Sequence, residues 1–282
     1  MMSQFSISPP AVPNVLVSFP VPHVLLVTLN RPKQLNAIPR HQHAALEALY
    51  QWYDDEPSLR CAVLTGTGRA FCAGADLKEW NERNSDKDTG AAASSHSAVK
   101  WVGGFGGLSN RTGKKPVIAA VNGLCLGGGM EMAINADLIV ASPSARFGLP
   151  EVSRGVIALA GALPRLQKTV GKQRAAEMAL TGRTYDAPTM ERWGLVNTIV
   201  RDGEDVVAEA LKVAGEIAGN SPDSVILSKE GLRLGWEGMG PELATEIIEK
   251  GLFKQLETGE NMKEGVKSFV ERRKPVWTNS KI

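Results

Sequence analysis

The stretch Asn122-Gly123-Leu124-Cys125-Leu126-Gly127-Gly128-Gly129-Met130-Glu131 decides how this chain is read. It follows the apolar run Pro116-Val117-Ile118-Ala119-Ala120-Val121, which reads as a buried strand, and it leads into a helix from Met130 to Ala136. Three successive glycines cost backbone entropy and pack no side chain. A chain keeps them where its backbone takes an unusual conformation or where something approaches closely. At a helix start, their N–H groups and the helix dipole favour negative charge. Glu131 lies in that first turn, and a carboxylate beside N–H donors suits oxyanion stabilisation with proton transfer. Tight packing with an acidic first turn explains the stretch equally well, so by itself it leaves the two readings even.

A second turn of the same build follows the strand Arg60 to Thr65. It runs Arg69-Ala70-Phe71-Cys72-Ala73-Gly74-Ala75-Asp76-Leu77-Lys78-Glu79 and feeds another helix. If the two strands are parallel neighbours, both turns lie at one sheet edge, where ligands bind in α/β proteins. One N–H from each turn can then grip a single carbonyl oxygen. A carbonyl so held becomes an enolate when its α-carbon loses a proton or its β-carbon accepts a nucleophile, and either event needs a proton carrier. Glu131 is one candidate. Glu151, after Pro150 in a turn, is the other, with a surface ion pair as its alternative role.

Composition narrows the field. The 282 residues carry 32 basic and 30 acidic side chains, a net charge of +2, which offers no broad field to recruit nucleic acid. Cys61, Cys72 and Cys125 form no Cys-x-x-Cys pair and fit buried thiols in a reducing compartment. No apolar run reaches membrane length, and no basic segment precedes an apolar one at the N-terminus, so neither a membrane span nor a secretory signal is expected. Ser280-Lys281-Ile282 differs by one conservative change from the Ser-Lys-Leu peroxisomal address, which makes the peroxisomal matrix and its import receptor the expectation, with the cytosol or mitochondrion as the alternatives. Metal chemistry finds no support, because the only close histidine pair, His41 and His43, is split across a helix. A serine hydrolase lacks its Gly-x-Ser-x-Gly elbow, and a dinucleotide fold lacks Gly-x-Gly-x-x-Gly after any strand.

Read in order, residues 1–13 form a loose proline-rich arm. Strands follow at Val15 to Phe19 and Val24 to Leu29, then a loop Asn30 to Ala37, and a helix opened by Pro39 and reaching Asp54. Residues 81–115 are polar and Gly/Ser-rich, the composition of a lid or insert. Further strands fall at Asp137 to Ala141 and Leu195 to Val200. A helix spans Gln173 to Leu180, and from Asp205 onward helical patterns dominate. The expected class is α/β: a core over residues 14–204, a helical C-terminal region over 205–275 and a tail over 276–282.

The two turns, with Asn30-Arg31-Pro32, Phe147-Gly148-Leu149-Pro150-Glu151, Leu180-Thr181-Gly182, Gly194-Leu195-Val196 and Phe269 to Pro275, resemble the enoyl-CoA hydratase/isomerase (crotonase) superfamily across roughly residues 15 to 275. The resemblance implies a spiral of repeated ββα turns. It also implies addition of water to a 2-enoyl-CoA, or the reverse dehydration, with coenzyme A entering as part of the substrate and no other cofactor. Ala75 and Gly128 match the two oxyanion donors, and Glu131 and Glu151 match the paired glutamates, assigned as base and acid. Ala73, Gly74, Asp76, Leu77, Lys78 and Gly127 match the acyl-CoA site. Lys33 matches the first CoA contact, and Arg272 matches a group reaching CoA from a neighbouring subunit of a homotrimer or homohexamer. Double-bond isomerisation and non-catalytic acyl-CoA binding are the competing functions.

One departure bears on the acyl pocket. Where such hydratases show Gly-x-Ile-Pro-Gly-x-Gly-Gly, this chain has Gly155-Val156-Ile157-Ala158-Leu159-Ala160-Gly161-Ala162. Leu159 in place of a glycine is expected to make the pocket near the attacking water tighter or more apolar.

Overall fold

The computed structural model describes residues 5–76, 79 and 102–282. β1 (Val15–Ser18) and β2 (Val24–Leu29) form an antiparallel hairpin, after which α1 (Gln42–Asp55) leads to β3 (Cys61–Gly66) and β4 (Ala70–Cys72). The next units are β5 (Val117–Val121), β6 (Leu124–Leu126) and α2 (Gly128–Asn135), followed by β7 (Leu138–Ala141) and β8 (Arg146–Gly148). Then come α3 (Ala162–Val170), α4 (Lys172–Thr181), β9 (Thr184–Asp186), α5 (Ala187–Arg192) and β10 (Thr198–Ile199). The helices α6 (Val206–Ala218), α7 (Pro222–Trp236), α8 (Pro241–Lys250), α9 (Phe253–Thr258) and α10 (Glu260–Val270) complete the chain.

Each turn of the spiral places one strand in each of two sheets. The larger sheet has the order β1-β2-β3-β5-β7-β10, and the smaller has β4-β6-β8-β9. β3, β5 and β7 run parallel, as do β4, β6 and β8, so consecutive turns stack in register. Central strands buried on both faces need continuous apolar runs, and Val117–Val121 is buried at every position. On one face of the large sheet α6 packs through Ala210, Ala214 and Ala218 against Val63, Ile118 and Val140. On the other, α1 and the small sheet close the main core around Tyr53, Phe71, Phe147 and Met130.

The short strands β4, β6 and β8 went unrecognised in the sequence, where they read as parts of turns. Three residues are too few to show alternation. Their consequence is direct: each glycine turn leaves the small sheet, and the parallel pairing of β4 with β6 sets the two turns side by side.

Over its described residues, 5–13, the N-terminal arm differs from the loose segment expected. Phe5 packs at 4.5 Å from Phe19 and 5.6 Å from Trp52, and the Trp52 indole N–H donates to the Ile7 carbonyl at 2.8 Å. Val12 is buried in the main core. Aromatic partners distant in sequence hold an arm whose own residues carry no periodicity. The tail is likewise packed, since Thr278 N–H donates to Asn261 at 2.9 Å and Ser280 donates to the buried Asp223 at 2.5 Å. Among the described residues no helix is long and apolar enough to cross a membrane. All three cysteines are buried free thiols, and burial pushes Cys61 and Cys72 up to about 12.

Candidate active site

Three glycines in the decisive turn have three separate jobs. Gly127 has φ +55°, and a Cβ placed there would sit 3.1 Å from Glu151 Oε1, so the position is closed to side chains by conformation and by space. Gly128 is the first residue of α2, where the N–H has no intrahelical acceptor. A Cβ on Gly129 would fall 2.2 Å from the Cys72 carbonyl, so its absence lets the helix start press against β4.

The partner donor comes from the other turn by strand geometry. Ile38 N–H donates to the Gly74 carbonyl at 2.9 Å, and Asp76 N–H donates to the Ile38 carbonyl at 3.3 Å. This parallel bridge uses the groups on either side of Ala75, so the Ala75 N–H points to the opposite edge. Gly74, at φ +94°, brings the turns together: a Cβ there would lie 3.0 Å from the Gly128 nitrogen. Two N–H groups with no partner among the described residues, those of Ala75 and Gly128, thus stand on adjacent turns.

The loop Asn30 to Ala37 braces this turn through a residue that sequence reasoning missed. Arg31 pairs with Asp76 at 3.0 Å and donates to the Ala37 carbonyl at 2.6 Å. Buried Asn36, at φ +56°, accepts from Arg31 N–H at 2.8 Å and donates to the Thr67 and Ala70 carbonyls at 2.9 and 2.7 Å. Asp76, expected at the acyl-CoA site, therefore anchors Arg31. Only the motif Asn30-Arg31-Pro32 signalled it. Lys33 stands exposed on a 3-10 turn, Pro32–Gln34, of the same loop, and Ala73 is half-buried beside it, its N–H donating to the Leu35 carbonyl at 3.0 Å.

Glu131 is only 4% exposed. Its Oε1 accepts from Ala160 N–H at 2.7 Å and from Ala162 N–H at 3.5 Å. Burial pushes its pKa up to about 7; the two N–H bonds oppose that, nearby Glu151 adds to it, and Arg165 opposes it. Glu151 sits in the 3-10 turn Pro150–Arg154. Burial raises its pKa too, against its own backbone N–H, and its Oε2 is buried with no partner. A buried carboxylate oxygen without a donor is costly, and beside a second carboxylate it marks where a water or substrate proton would bind. An apolar cavity of about 120 Å³ adjoins Glu151, lined by Leu149, Val152, Ile157, Ala158, Leu163 and Leu180.

Two further groups shape the site. The Phe105 ring rests on Gly128, where an added Cβ would come within 2.6 Å of it, and the His43 ring meets Phe105 at 4.7 Å. His43 Nδ1 accepts from Gly106 N–H at 2.9 Å, and burial lowers its pKa to about 4, so it is neutral at physiological pH. The glycines around Phe105 were visible in sequence, but not their destination. The Ala160 and Ala162 donors act through backbone and left no side-chain signal.

Leu159 departs from expectation. It is 79% exposed and is absent from the lining of the cavity beside Glu151, which Ile157 and Ala158 complete instead. The Ala160 N–H turns inward to Glu131, and the preceding side chain turns out. Arg272 is exposed beyond α10 at φ +55°, and among the described residues no hydrogen bond or ion pair joins it to these groups. Leu77, Lys78 and residues 80–101 lie outside the described residues. Among those described, no group of three or more His, Cys, Asp or Glu converges to hold a metal.

A family model described as enoyl-CoA hydratase/isomerase matches residues 22–280. The chain belongs to the enoyl-CoA hydratase/isomerase family. The mevalonyl-coenzyme A hydratase of Beauveria bassiana is 64% identical over 278 residues, covering 99% of each chain. That of Aspergillus fumigatus is 50% identical over 273 residues, with 97% of this chain and 98% of the relative covered. The crystal structure of an enoyl-CoA hydratase from Mycobacterium tuberculosis superposes with a TM-score of 0.83 at 35% identity, over 95% of this chain and all of that one. The fold is that of the crotonase superfamily, and the activity is hydratase chemistry on a CoA thioester.

Proposed function

We propose that this hydratase interconverts mevalonyl-CoA and the β-branched enoyl-CoA formed from it by loss of water. The observation that carries the substrate is the 64% identity to a mevalonyl-coenzyme A hydratase across 99% of both chains. The cavity of about 120 Å³ beside Glu151 supports it, since a β-carbon bearing two substituents needs room next to the carboxylates.

In the hydration direction the thioester oxygen accepts from Ala75 and Gly128 N–H. Glu131 takes a proton from water as the oxygen attacks the β-carbon, and charge passes to the thioester oxygen as an enolate. Glu151 returns a proton to the α-carbon. Dehydration runs the same steps backwards, with Glu151 removing the α-proton and Glu131 protonating the departing hydroxide. The N–H donors on Glu131 Oε1 favour its charged form, and the donor-free Oε2 of Glu151 favours a proton there. Burial of Glu131 works against that order, so the two titrate as a pair.

Purified protein is assayed with mevalonyl-CoA, 3-methylcrotonyl-CoA and crotonyl-CoA by the conjugated-thioester absorbance. The branched substrates should have the higher kcat/KM. Turnover of crotonyl-CoA with none of mevalonyl-CoA refutes this reading. The exposed apolar side chains Val266, Phe269 and Val270 on α10 support assembly as a homotrimer or homohexamer, checked by solution mass. Ser280-Lys281-Ile282 supports import into the peroxisome through this tripeptide, and a tagged chain lacking it that still enters peroxisomes would refute the tripeptide as the address.

A further inference from the structure

Arg165, half-buried on α3, has so far entered only through its charge on Glu131. Its Nη1 donates to the Gly161 carbonyl at 3.2 Å, the Ser109 carbonyl at 3.0 Å and Asn110 Oδ1 at 2.9 Å. These acceptors belong to two segments far apart in sequence that meet at this one nitrogen. Gly161 lies between Ala160 and Ala162, the residues whose N–H groups hold Glu131. Ser109 accepts the Phe105 N–H on its hydroxyl at 2.7 Å, and Phe105 covers the oxyanion glycine. A single guanidinium nitrogen therefore links the clamp on the carboxylate to the wall of the oxyanion hole. Gly161 is committed to this link: it has φ +102°, and a Cβ there would fall 2.1 Å from Arg165 Nη1 and 2.3 Å from Asn110 Oδ1. The Arg165 Nε is buried without a partner.

We infer that Arg165 is a positioning residue for the hydratase reaction, locking the Ala160–Ala162 clamp to the Phe105 loop so that Glu131 keeps one geometry while it loses and regains its proton. The inference rests on the reading of Glu131 as the base. The charged groups acting on Glu131 are Glu151, which raises its pKa, and Arg165, which lowers it. Arg165 is in turn faced by Glu237 and Glu131. A brace alone would alter stability and turnover. A brace that also carries charge toward the base moves the pH profile, and that is what separates the two roles.

The test compares Arg165→Met and Arg165→Lys with the parent, reading kcat and KM against pH and thermal melting. Arg165→Met is expected to lower kcat at pH 7 by about tenfold or more, with KM changed by less than about threefold. Its acidic limb should move to higher pH by about half a unit or more, because the cation that favours ionised Glu131 is gone. Arg165→Lys restores the limb but not kcat, since a strongly hydrated ammonium on a flexible stem does not hold the fixed position from which the guanidinium Nη1 bonds both segments. An unmoved limb in Arg165→Met, or two variants with the same pH profile, overturns the inference. Should Arg165→Met not fold, Arg165→Lys and Asn110→Ala decide: each should lower kcat several-fold with KM held, and parental kcat in both refutes the role. Glu131→Gln runs in parallel. An active Glu131→Gln enzyme defeats the reading of the base, whereas an inactive one beside an unmoved Arg165→Met limb defeats only the role of Arg165.

Discussion

Gly74→Ala tests the oxyanion pair without removing a hydrogen-bonding group. The added methyl would lie 3.0 Å from the Gly128 nitrogen and 3.1 Å from the Leu126 carbonyl, both closer than ordinary van der Waals contact. Either it occupies the space in front of the Gly128 N–H or it pushes the start of α2 away from Ala75. In both cases one donor is lost from the convergent pair, which is worth about 3–4 kcal/mol in the transition state, or about 10²–10³ in kcat. The residue also sits at φ +94°, a region that costs a side chain roughly 1–2 kcal/mol. Melting should therefore fall by about 2–8 °C for a chain of this size. KM should change little, because the oxyanion contact strengthens only as charge develops. Conjugated-thioester absorbance gives kcat and KM, and calorimetry gives the melt. A folded Gly74→Ala enzyme with kcat within about threefold of the parent would refute convergence of the Ala75 and Gly128 donors on one oxygen. Gly128→Ala is a poorer test, because its methyl would collide with the Phe105 ring as well.

Glu131, raised to about 7 from 4.5, predicts an acidic limb of kcat near pH 7, with activity rising as the base ionises; Glu131→Gln removes the limb with the activity. The same shift has a stability consequence of definite sign. A carboxyl whose folded pKa is raised contributes stability at low pH that is lost as pH rises from 4.5 through about 7, so Glu131→Gln should melt above the parent at pH 8 and lose that advantage toward pH 4. Arg31→Ala removes the bonds to Asp76 and Ala37 that hold the Ala75 turn, and steady-state kinetics should show kcat/KM about tenfold lower or worse. Phe105→Ala opens the wall beside Gly128, so the ratio of kcat/KM for longer over shorter acyl-CoA substrates should rise by about tenfold or more; an unchanged ratio shows that the Phe105 ring does not limit the acyl chain.

Much of this enzyme is local, and local physics is legible in sequence. Buried parallel strands require runs such as Val117 to Val121, and a helix opening on three glycines announces both a special backbone and unpaired N–H groups. Glu131 within that first turn and Glu151 after a proline stood out as candidate carboxylates, which the superfamily resemblance then paired. Their order along the chain, together with the two small-residue turns, sufficed for the superfamily. What tertiary structure alone decided are pairings between residues far apart. Ala160 N–H reaches Glu131 across 29 positions, and Arg31 reaches Asp76 across 45. Neither bond is specified by residue type, because one donor is backbone and the other is a cation with many possible partners. The direction of Leu159 was fixed the same way: once the Ala160 N–H points in to a buried carboxylate, the side chain before it points out. Three-residue strands carry no period, so only their pairing in the small sheet revealed them, and that pairing is what sets Ala75 beside Gly128.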